Sequence, residues 1–158
     1  MFKTEKTIAH PQSRQALKKE LKQSELLGET ADGKRIYLFD YQADSDVMRE
    51  VGRLREVSFR CVGEGTGEKL DLDRYDSHYR HLILWDEEEL EIVGAYRLAE
   101  AWRMNNSEDN QLYSSTLFNY SPAMQQFFEQ GIELGRSFVQ PKYWGKRSLD
   151  YLWYGIGA

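Results

Sequence analysis

The stretch IELGRSFVQP, residues 132–141, has the pattern of a short core strand that ends at a loop, yet it carries an acid and a base three positions apart. A buried charge without a partner costs several kcal/mol, roughly the stability margin of a whole domain. Glu133 and Arg136 therefore indicate either a strand that faces solvent or charges that have a function. The strand and its end are predicted by Ile132, Leu134, Phe138, Val139 and Pro141.

The spacing of the two charged residues favours an irregular strand. In a regular strand, residues three apart point to opposite faces, so Glu133 and Arg136 would be separated. Gly135 lies between them, where a β-bulge would be tolerated, and a bulge would bring both side chains to one face. A structural ion pair between the two residues remains an alternative.

Hydrophobic periodicity and turn residues predict a single α+β domain over residues 1–158, with an N-terminal helical extension over about 1–30. Helices are expected over 10–28, 44–61, 121–131 and 148–158. Strands are expected through 36–39, over 132–139, and over 79–86 and 89–101, the last two as an antiparallel hairpin.

Composition narrows the functional class. The chain has 158 residues, 41% of them hydrophobic, which is enough for one globular core. Its net charge of -5 argues against nucleic-acid binding, and its one cysteine, Cys61, indicates a reducing compartment. The sequence contains neither a long apolar span nor the apolar region of a signal peptide, so we expect a cytoplasmic protein.

The C-terminal segment predicts an apolar helix that ends the chain without a polar tail. Leu149, Leu152, Trp153 and Ile156 fall at helical spacing on this segment. Because exposed apolar faces associate, we expect a domain that is truncated, or one that a homodimer or a domain swap completes.

Charged residues occur at four places where the local pattern predicts burial or close packing. These are Arg55 one helical turn before Phe59, the acidic loop with Asp71, Asp73 and Asp76, Arg97 in a strand after Gly94, and the pair Glu133 and Arg136. Taken singly, each has an ordinary structural explanation, such as a solvated helix face or loop. The histidines His78 and His81 lack further ligands nearby in sequence, so no metal site is predicted.

Together these segments resemble a known family. The motifs LREVSFR, DLDRYD, HLILWD, IVGAYRL and IELGRSFVQPKYWGKRSLDYLW, in this order and spacing, are similar to the hemolysin-like N-acyltransferases of bacterial ornithine-lipid synthesis. These enzymes have the GNAT fold and are distant relatives of acyl-homoserine-lactone synthases. The resemblance implies a three-layer α/β/α mixed sheet, here truncated after the fourth strand and the following helix.

The resemblance also implies roles for individual residues. The motif of the related autoinducer synthases, whose polar positions surround the amine substrate, matches this sequence. The matching positions are Arg55, Phe59, Asp73 and Asp76 as substrate-binding residues, and Glu133, Arg136 and Arg97 as catalytic residues. The loop KYWGKR retains Gly145 but has Arg147 where coenzyme A enzymes have a small residue, which favours a phosphopantetheine thioester on acyl carrier protein. Donor-binding residues are then Ser137, Val139, Lys142, Gly145, Lys146 and Arg147.

The implied reaction transfers a 3-hydroxyacyl group to the amino group of an amino acid such as ornithine, giving a lyso-aminolipid. An α-amino group has a pKa near 8, so a base must assist at neutral pH, and Glu133 is the candidate. No tightly bound cofactor is expected, because the thioester of the carrier protein, or of coenzyme A, is a co-substrate. A lipid product leaves open a peripheral contact with the inner membrane. The alternatives are an autoinducer synthase and a non-catalytic GNAT-like binding or pairing module.

Overall fold

An antiparallel sheet forms the centre of the protein. The computed structural model describes residues 4–104, 112–124 and 130–157. In these residues five strands pair in chain order, each antiparallel to the next. The strands are β1 (Glu25–Glu29), β2 (Lys34–Asp40), β3 (Arg80–Asp86), β4 (Glu91–Glu100) and β5 (Ile132–Val139).

Helices cover both faces of the sheet, as the predicted three-layer arrangement requires. One apolar cluster joins α1 (Arg14–Leu21) and α2 (Asp46–Arg60) to one face through side chains such as Leu17, Val51 and Phe39. A second cluster joins α4 (Ser148–Tyr154) to the other face, where Leu152 packs beside Tyr96. A short helix, α3 (Ala101–Met104), continues directly from β4.

Three details of the predicted architecture are wrong. The helix expected over 10–28 ends at Leu21, and the residues after it form β1, because pairing with β2 outweighs the weak helical preference of that segment. The described sheet is wholly antiparallel rather than mixed. With β1 included, the stretch at 132–139 is the fifth strand, not the fourth.

The other predicted elements are present. The strand through 36–39, the helix within 44–61 and the hairpin of 79–86 with 89–101 correspond to β2, α2 and the β3–β4 pair. Ser121 Oγ accepts a hydrogen bond from the Met124 backbone N–H, as an N-cap would, and residues 122–124 are helical. The remainder of that predicted helix includes residues 125–129, which lie outside the described residues.

A bulge is present in β5, directly after Gly135 rather than at the glycine where it was predicted. Arg97 pairs with Gly135 and Ala95 pairs with Phe138, so three steps along β5 match two along β4. The extra residue falls at Arg136 and Ser137, and Arg136 has a positive φ of 51°. Such a backbone turn re-aims the side chains that follow it. The side chains of Glu133 and Arg136 both have partners on the face that α2 covers, whereas Ser137 lines a cavity on the face of α4.

The C-terminal helix has the uncovered apolar face that the sequence predicts. Leu152 is buried against the sheet, while Leu149, Trp153 and Tyr154 are more than half exposed. Among the described residues, no helix is both long and apolar enough to cross a membrane.

Candidate active site

A cluster of paired charges lies between α2, the loop after it and the bulged end of the sheet. We call it the charged cluster, and it comprises Arg55, Asp71, Asp73, Asp76, Arg97 and Arg136. The sheet register explains part of it, because His81 pairs with Arg97 and Arg97 pairs with Gly135. The Arg97 side chain lies over Gly135, where a Cβ would be in ordinary van der Waals contact with its Nε at 3.6 Å.

Asp76 is the centre of the charged cluster. Its Oδ1 accepts hydrogen bonds from Arg55 Nη1 at 2.8 Å and from Arg97 Nη1 at 3.3 Å. Its Oδ2 accepts the Asp73 backbone N–H at 2.8 Å and so caps the 3-10 turn Arg74–Ser77. Burial acts to raise the pKa of Asp76, but Arg55 and the Asp73 N–H outweigh it and hold that pKa below its usual value.

Arg136 closes the cluster on its solvent side. Its guanidinium lies 3.2 Å from Asp71 Oδ2 and 3.7 Å from Asp73 Oδ2. Burial raises the pKa of Asp71, and the nearby Arg136 only partly offsets this. Arg55 and Arg97 are almost fully buried, whereas the Arg136 side chain is 31% exposed. Arg136 is therefore the cluster's guanidinium that a ligand reaches without a rearrangement of the core.

Glu133 is half-buried beside the charged cluster and is held by two other elements. Its Oε1 accepts the Tyr79 hydroxyl hydrogen. Its Oε2 accepts the backbone N–H of Ser114 at 3.1 Å, and the Ser114 hydroxyl as well. Glu133 and Arg136 thus share a face of β5, but each has its own partners, so they do not form the ion pair that was the structural alternative.

Three tyrosine rings surround the Arg97 guanidinium, whose Cζ lies 5.1 Å from the ring centre of Tyr79 and 5.7 Å from those of Tyr75 and Tyr113. Such cation–π contacts hold a guanidinium in place without using its hydrogen-bond donors. The Nε of Arg97 has no hydrogen-bond partner among the described residues.

His81 is fully buried against the charged cluster. Burial, together with the positive charge of Arg55, lowers the pKa of His81 to about 4. The ring is therefore neutral near pH 7, and its Nε2 donates to the Asp76 backbone carbonyl at 2.9 Å because a carbonyl can only accept. His81 thus helps to hold the backbone that presents Asp76.

His81 should make the folded state sensitive to mild acid. Its pKa is lower when folded than when unfolded, so the unfolded chain binds more protons between about pH 6.5 and pH 4, and stability falls as pH falls. We expect this residue to account for about 2 kcal/mol of lost unfolding free energy between pH 7 and pH 5.

Urea unfolding of the His81→Gln variant at the two pH values measures that loss. The variant should lose less stability on acidification than the unsubstituted protein. His78→Gln, at an exposed position in the same segment, is the control and should retain the full loss. An equal pH dependence in all three proteins would contradict the assignment.

A groove of about 360 Å³ lies beyond the bulge, between the end of β5 and α4. Four of the predicted donor-binding residues line it, namely Ser137, Val139, Gly145 and Lys146, together with Phe138, Tyr143, Trp144 and Leu149. A smaller apolar cavity shares Ser137 and Leu149 with this groove and extends under α4. Ser137 follows Arg136 directly, so the bulge separates the charged cluster from the groove.

The structure brings most of the predicted site residues together. Arg55, Asp73, Asp76, Arg97 and Arg136 lie in the charged cluster, and Glu133 lies beside it. Phe59 instead packs against the apolar core under α2. Lys142 is ion-paired with Glu89 and Glu91 outside the groove, and Arg147 occupies the position before α4 rather than the groove wall.

Sequence reasoning missed Tyr79, His81 and Ser114. The alternation of β3 could have placed His81 on the face of Ile83 and Trp85, and hence beside Arg97. Glu133 is separated in sequence from Tyr79 by 54 residues and from Ser114 by 19 residues. A local sequence pattern therefore could not predict these two contacts. Among the described residues, no three His, Cys, Asp or Glu side chains are grouped in a way that could hold a metal ion.

Curated relatives of this chain are N-acyltransferases. The chain is 40% identical to a glycine N(alpha)-acyltransferase of Bacteroides thetaiotaomicron over 96% of its own length and 49% of the relative. It is 38% identical to a glycine N(alpha)-acyltransferase of Phocaeicola vulgatus, over 96% of the chain and 51% of the relative. An L-ornithine N(alpha)-acyltransferase of Agrobacterium fabrum is 32% identical over 66% of the chain and 37% of the relative.

The chain spans about half the length of the two glycine acyltransferases. No solved structure matches it significantly. Residues 54–154 match the family described as acetyltransferase (GNAT) domain, and this range contains the charged cluster, Glu133 and the groove. The match covers more than half of the chain and agrees with the observed α+β layers, so the protein belongs to the acetyltransferase (GNAT) domain family.

Proposed function

We propose that this chain forms the part of an N-acyltransferase that binds and activates the amine, and that the reaction joins a fatty acyl group to the α-amino group of an amino acid. The observation that carries the proposal is the placement of the Glu133 carboxylate and the Arg136 guanidinium on one face of a bulged strand, with an apolar groove on the other side of the bulge. The names of the relatives support the same reaction class.

The chemistry requires a deprotonated amine and a thioester carbonyl held within reach. Glu133 takes a proton from the ammonium group of the acceptor, directly or through a water. The amine nitrogen then attacks the thioester carbon, a C–N bond forms and the C–S bond breaks. The nitrogen loses its second proton, the sulfur gains one, and the donor leaves as a thiol. Backbone N–H groups at the bulge are suited to stabilise the negative charge that develops on the carbonyl oxygen.

Within this scheme the arginines have different tasks. The partly exposed Arg136 binds the carboxylate of the acceptor, since a guanidinium and a carboxylate form a charge-assisted pair. The buried Arg55 and Arg97 hold Asp76 and Asp73, which in turn fix the loop that faces Arg136. Bound in this way, the acceptor would direct its amino group along β5 towards Glu133.

Glycine is the acceptor that this site supports best. Ornithine carries a second ammonium group and needs an additional anionic partner. Each aspartate of the charged cluster already pairs with an arginine, Asp71 with Arg136, Asp73 with Arg97 and Arg136, and Asp76 with Arg55 and Arg97. Higher identity to the glycine enzymes points the same way. Ornithine is the second candidate, because four curated relatives are named for it.

The donor is proposed to be a 3-hydroxyacyl thioester of acyl carrier protein, and the product a lyso-aminolipid. The groove beyond the bulge supports a thioester donor because its lining is mostly apolar and includes Ser137, the residue that follows Arg136. Lys146 at its rim suits a phosphate-bearing arm or an acidic carrier. A product with a fatty chain would bring the protein into contact with the inner membrane surface.

An assay of the intact gene product that carries this chain tests the proposal. Glycine, alanine, ornithine and glycinamide are offered with 3-hydroxyacyl carrier protein or the coenzyme A thioester, and products are identified by mass spectrometry. We expect kcat/KM for glycine to exceed that for ornithine by about tenfold or more, roughly the value of one ionic contact. Glycinamide should react poorly because it offers Arg136 no carboxylate. The proposal fails if no amino acid is acylated by either donor.

A further inference from the structure

We propose that Tyr79 is a positioning residue for Glu133: its hydroxyl holds Oε1 of the carboxylate, and Oε2, which Ser114 occupies in this structure, is the oxygen that takes the proton from the acceptor amine. This inference rests on the proposed function, in which Glu133 is the base. It concerns a side chain outside every motif that the sequence singled out.

The hydrogen-bond chain through Tyr79 has a fixed direction. The phenol has a single hydrogen, and its oxygen accepts the backbone N–H of Tyr113 at 2.8 Å. An N–H can only donate, so the phenol hydrogen points to Glu133 Oε1. Burial and the neighbouring carboxylate raise the pKa of Tyr79 well above that of a free phenol. Tyr79 therefore remains a donor throughout the pH range in which an enzyme works.

Both partners of this bond are rigidly placed. Tyr79 is only 2% exposed and packs with Tyr75, Ala99 and Met104 in a small apolar cluster. Glu133 lies directly opposite Ala99 in the β4–β5 register, so the strand pairing fixes the position of its backbone relative to Tyr79. Together with the hydrogen bonds of Ser114, this bond fixes the rotation of the carboxylate about its last torsion.

The two oxygens of Glu133 consequently differ. Oε1 faces a buried ring, whereas Oε2 faces the turn Tyr113–Thr116, whose Ser114 supplies two hydrogen-bond donors and none of whose residues is buried. An ammonium group also presents donors in this way. In the proposed reaction the acceptor amine binds at Oε2 in exchange for the two Ser114 hydrogen bonds, while Tyr79 keeps Oε1.

Tyr79→Phe in the intact gene product tests the inference, because it removes one oxygen and keeps the ring. We expect kcat to fall by about tenfold to a hundredfold, the usual effect of losing one hydrogen bond to a charged group, with a smaller change in KM. The acid limb of the kcat/KM profile should move up by about one pH unit, because the charged carboxylate loses a donor. A role in packing alone would not move that limb.

Tyr75→Phe is the matched control, since Tyr75 belongs to the same apolar cluster but its hydroxyl accepts a hydrogen bond from Arg74 rather than contacting Glu133. The acid limb of this variant should stay in place. If Tyr79→Phe does not fold, 3-fluorotyrosine at position 79 serves instead. It is a stronger donor and should move the acid limb to lower pH.

The results separate this inference from the proposed function. Wild-type turnover in Glu133→Gln would overturn the role of the base and this inference with it. An inactive Glu133→Gln combined with an unchanged kcat and acid limb in Tyr79→Phe, or an unmoved limb in the fluorotyrosine protein, would overturn this inference alone. Displaced limbs in the predicted directions, with an unmoved limb in Tyr75→Phe, would support it.

Discussion

Replacing Glu133 with glutamine is expected to lower kcat for amine acylation by about 10²–10⁴-fold, the usual contribution of a positioned general base. Glutamine has nearly the same shape, and its one amide oxygen can still accept the hydrogen bonds of Ser114 or that of Tyr79, though not both, so the fold should be retained. What it loses is the capacity to take a proton. The KM for the amino acid should change little, because Arg136 rather than Glu133 binds the acceptor carboxylate.

Steady-state kinetics with glycine and a 3-hydroxyacyl thioester measure this effect, and a thermal melt confirms folding. Glu100→Gln is the control, since Glu100 ends the neighbouring strand and pairs with Arg80 and Arg103 outside the charged cluster. Its kcat should remain within a few-fold of the unsubstituted value. A Glu133→Gln protein that turns over as fast as the Glu100→Gln protein would remove Glu133 from the mechanism.

The largest effect on stability is expected from Asp76→Asn, which should lower the unfolding free energy by about 3–5 kcal/mol. The substitution removes the charge that Arg55 and Arg97 share, and both guanidiniums are almost fully buried. In either orientation the asparagine NH₂ group would also face a donor, a guanidinium or the Asp73 backbone N–H, which has no acceptor to offer. Charges that are buried without a partner cannot be compensated by water.

Urea unfolding near pH 7 measures this loss, and Asp40→Asn is its control. Asp40 also pairs with an arginine, Arg80 at 3.0 Å, but its side chain is 74% exposed, so its loss should cost less than about 1 kcal/mol. The difference between the two variants should shrink in strong acid. The pKa of Asp76 is lowered in the folded protein, so its contribution is complete above the unfolded value and is lost as pH falls. Equal losses at pH 7 would contradict the central role of Asp76.

Local pattern was sufficient for much of the fold, whereas the site residues were chosen from the family resemblance and their roles stay predictions. The period of two in β3 and β4, the helical stripe of α2 and the glycine between two charges in β5 each reflect a constraint within a few residues of chain. The bulge was predictable for that reason, because an acid and a base three apart in an otherwise apolar strand conflict with strand alternation. Its consequence, both charges on one face, is confirmed by the β4–β5 register.

The error at β1 arose because one segment takes its structure from pairing with another, whereas the substrate-binding role of Phe59 stays a prediction. Residues 25–29 have no strong preference for helix or strand, and they form β1 because they pair with the edge of β2. Phe59 follows Arg55 by one helical turn, yet it packs into the apolar core while Arg55 enters the charged cluster. Spacing along a helix places two residues near each other but does not say what each of them meets.

The sequence by itself determined that the bulged strand carries an acid and a guanidinium on one side, because backbone sterics and strand alternation act between near neighbours. Only the tertiary structure decided which partners those charges have: Asp71 and Asp73 for Arg136, and Tyr79 and Ser114 for Glu133. These partners are brought together by burial of the two apolar clusters on the sheet, a force that depends on area and not on direction. Hydrogen bonds then select among the contacts that burial permits.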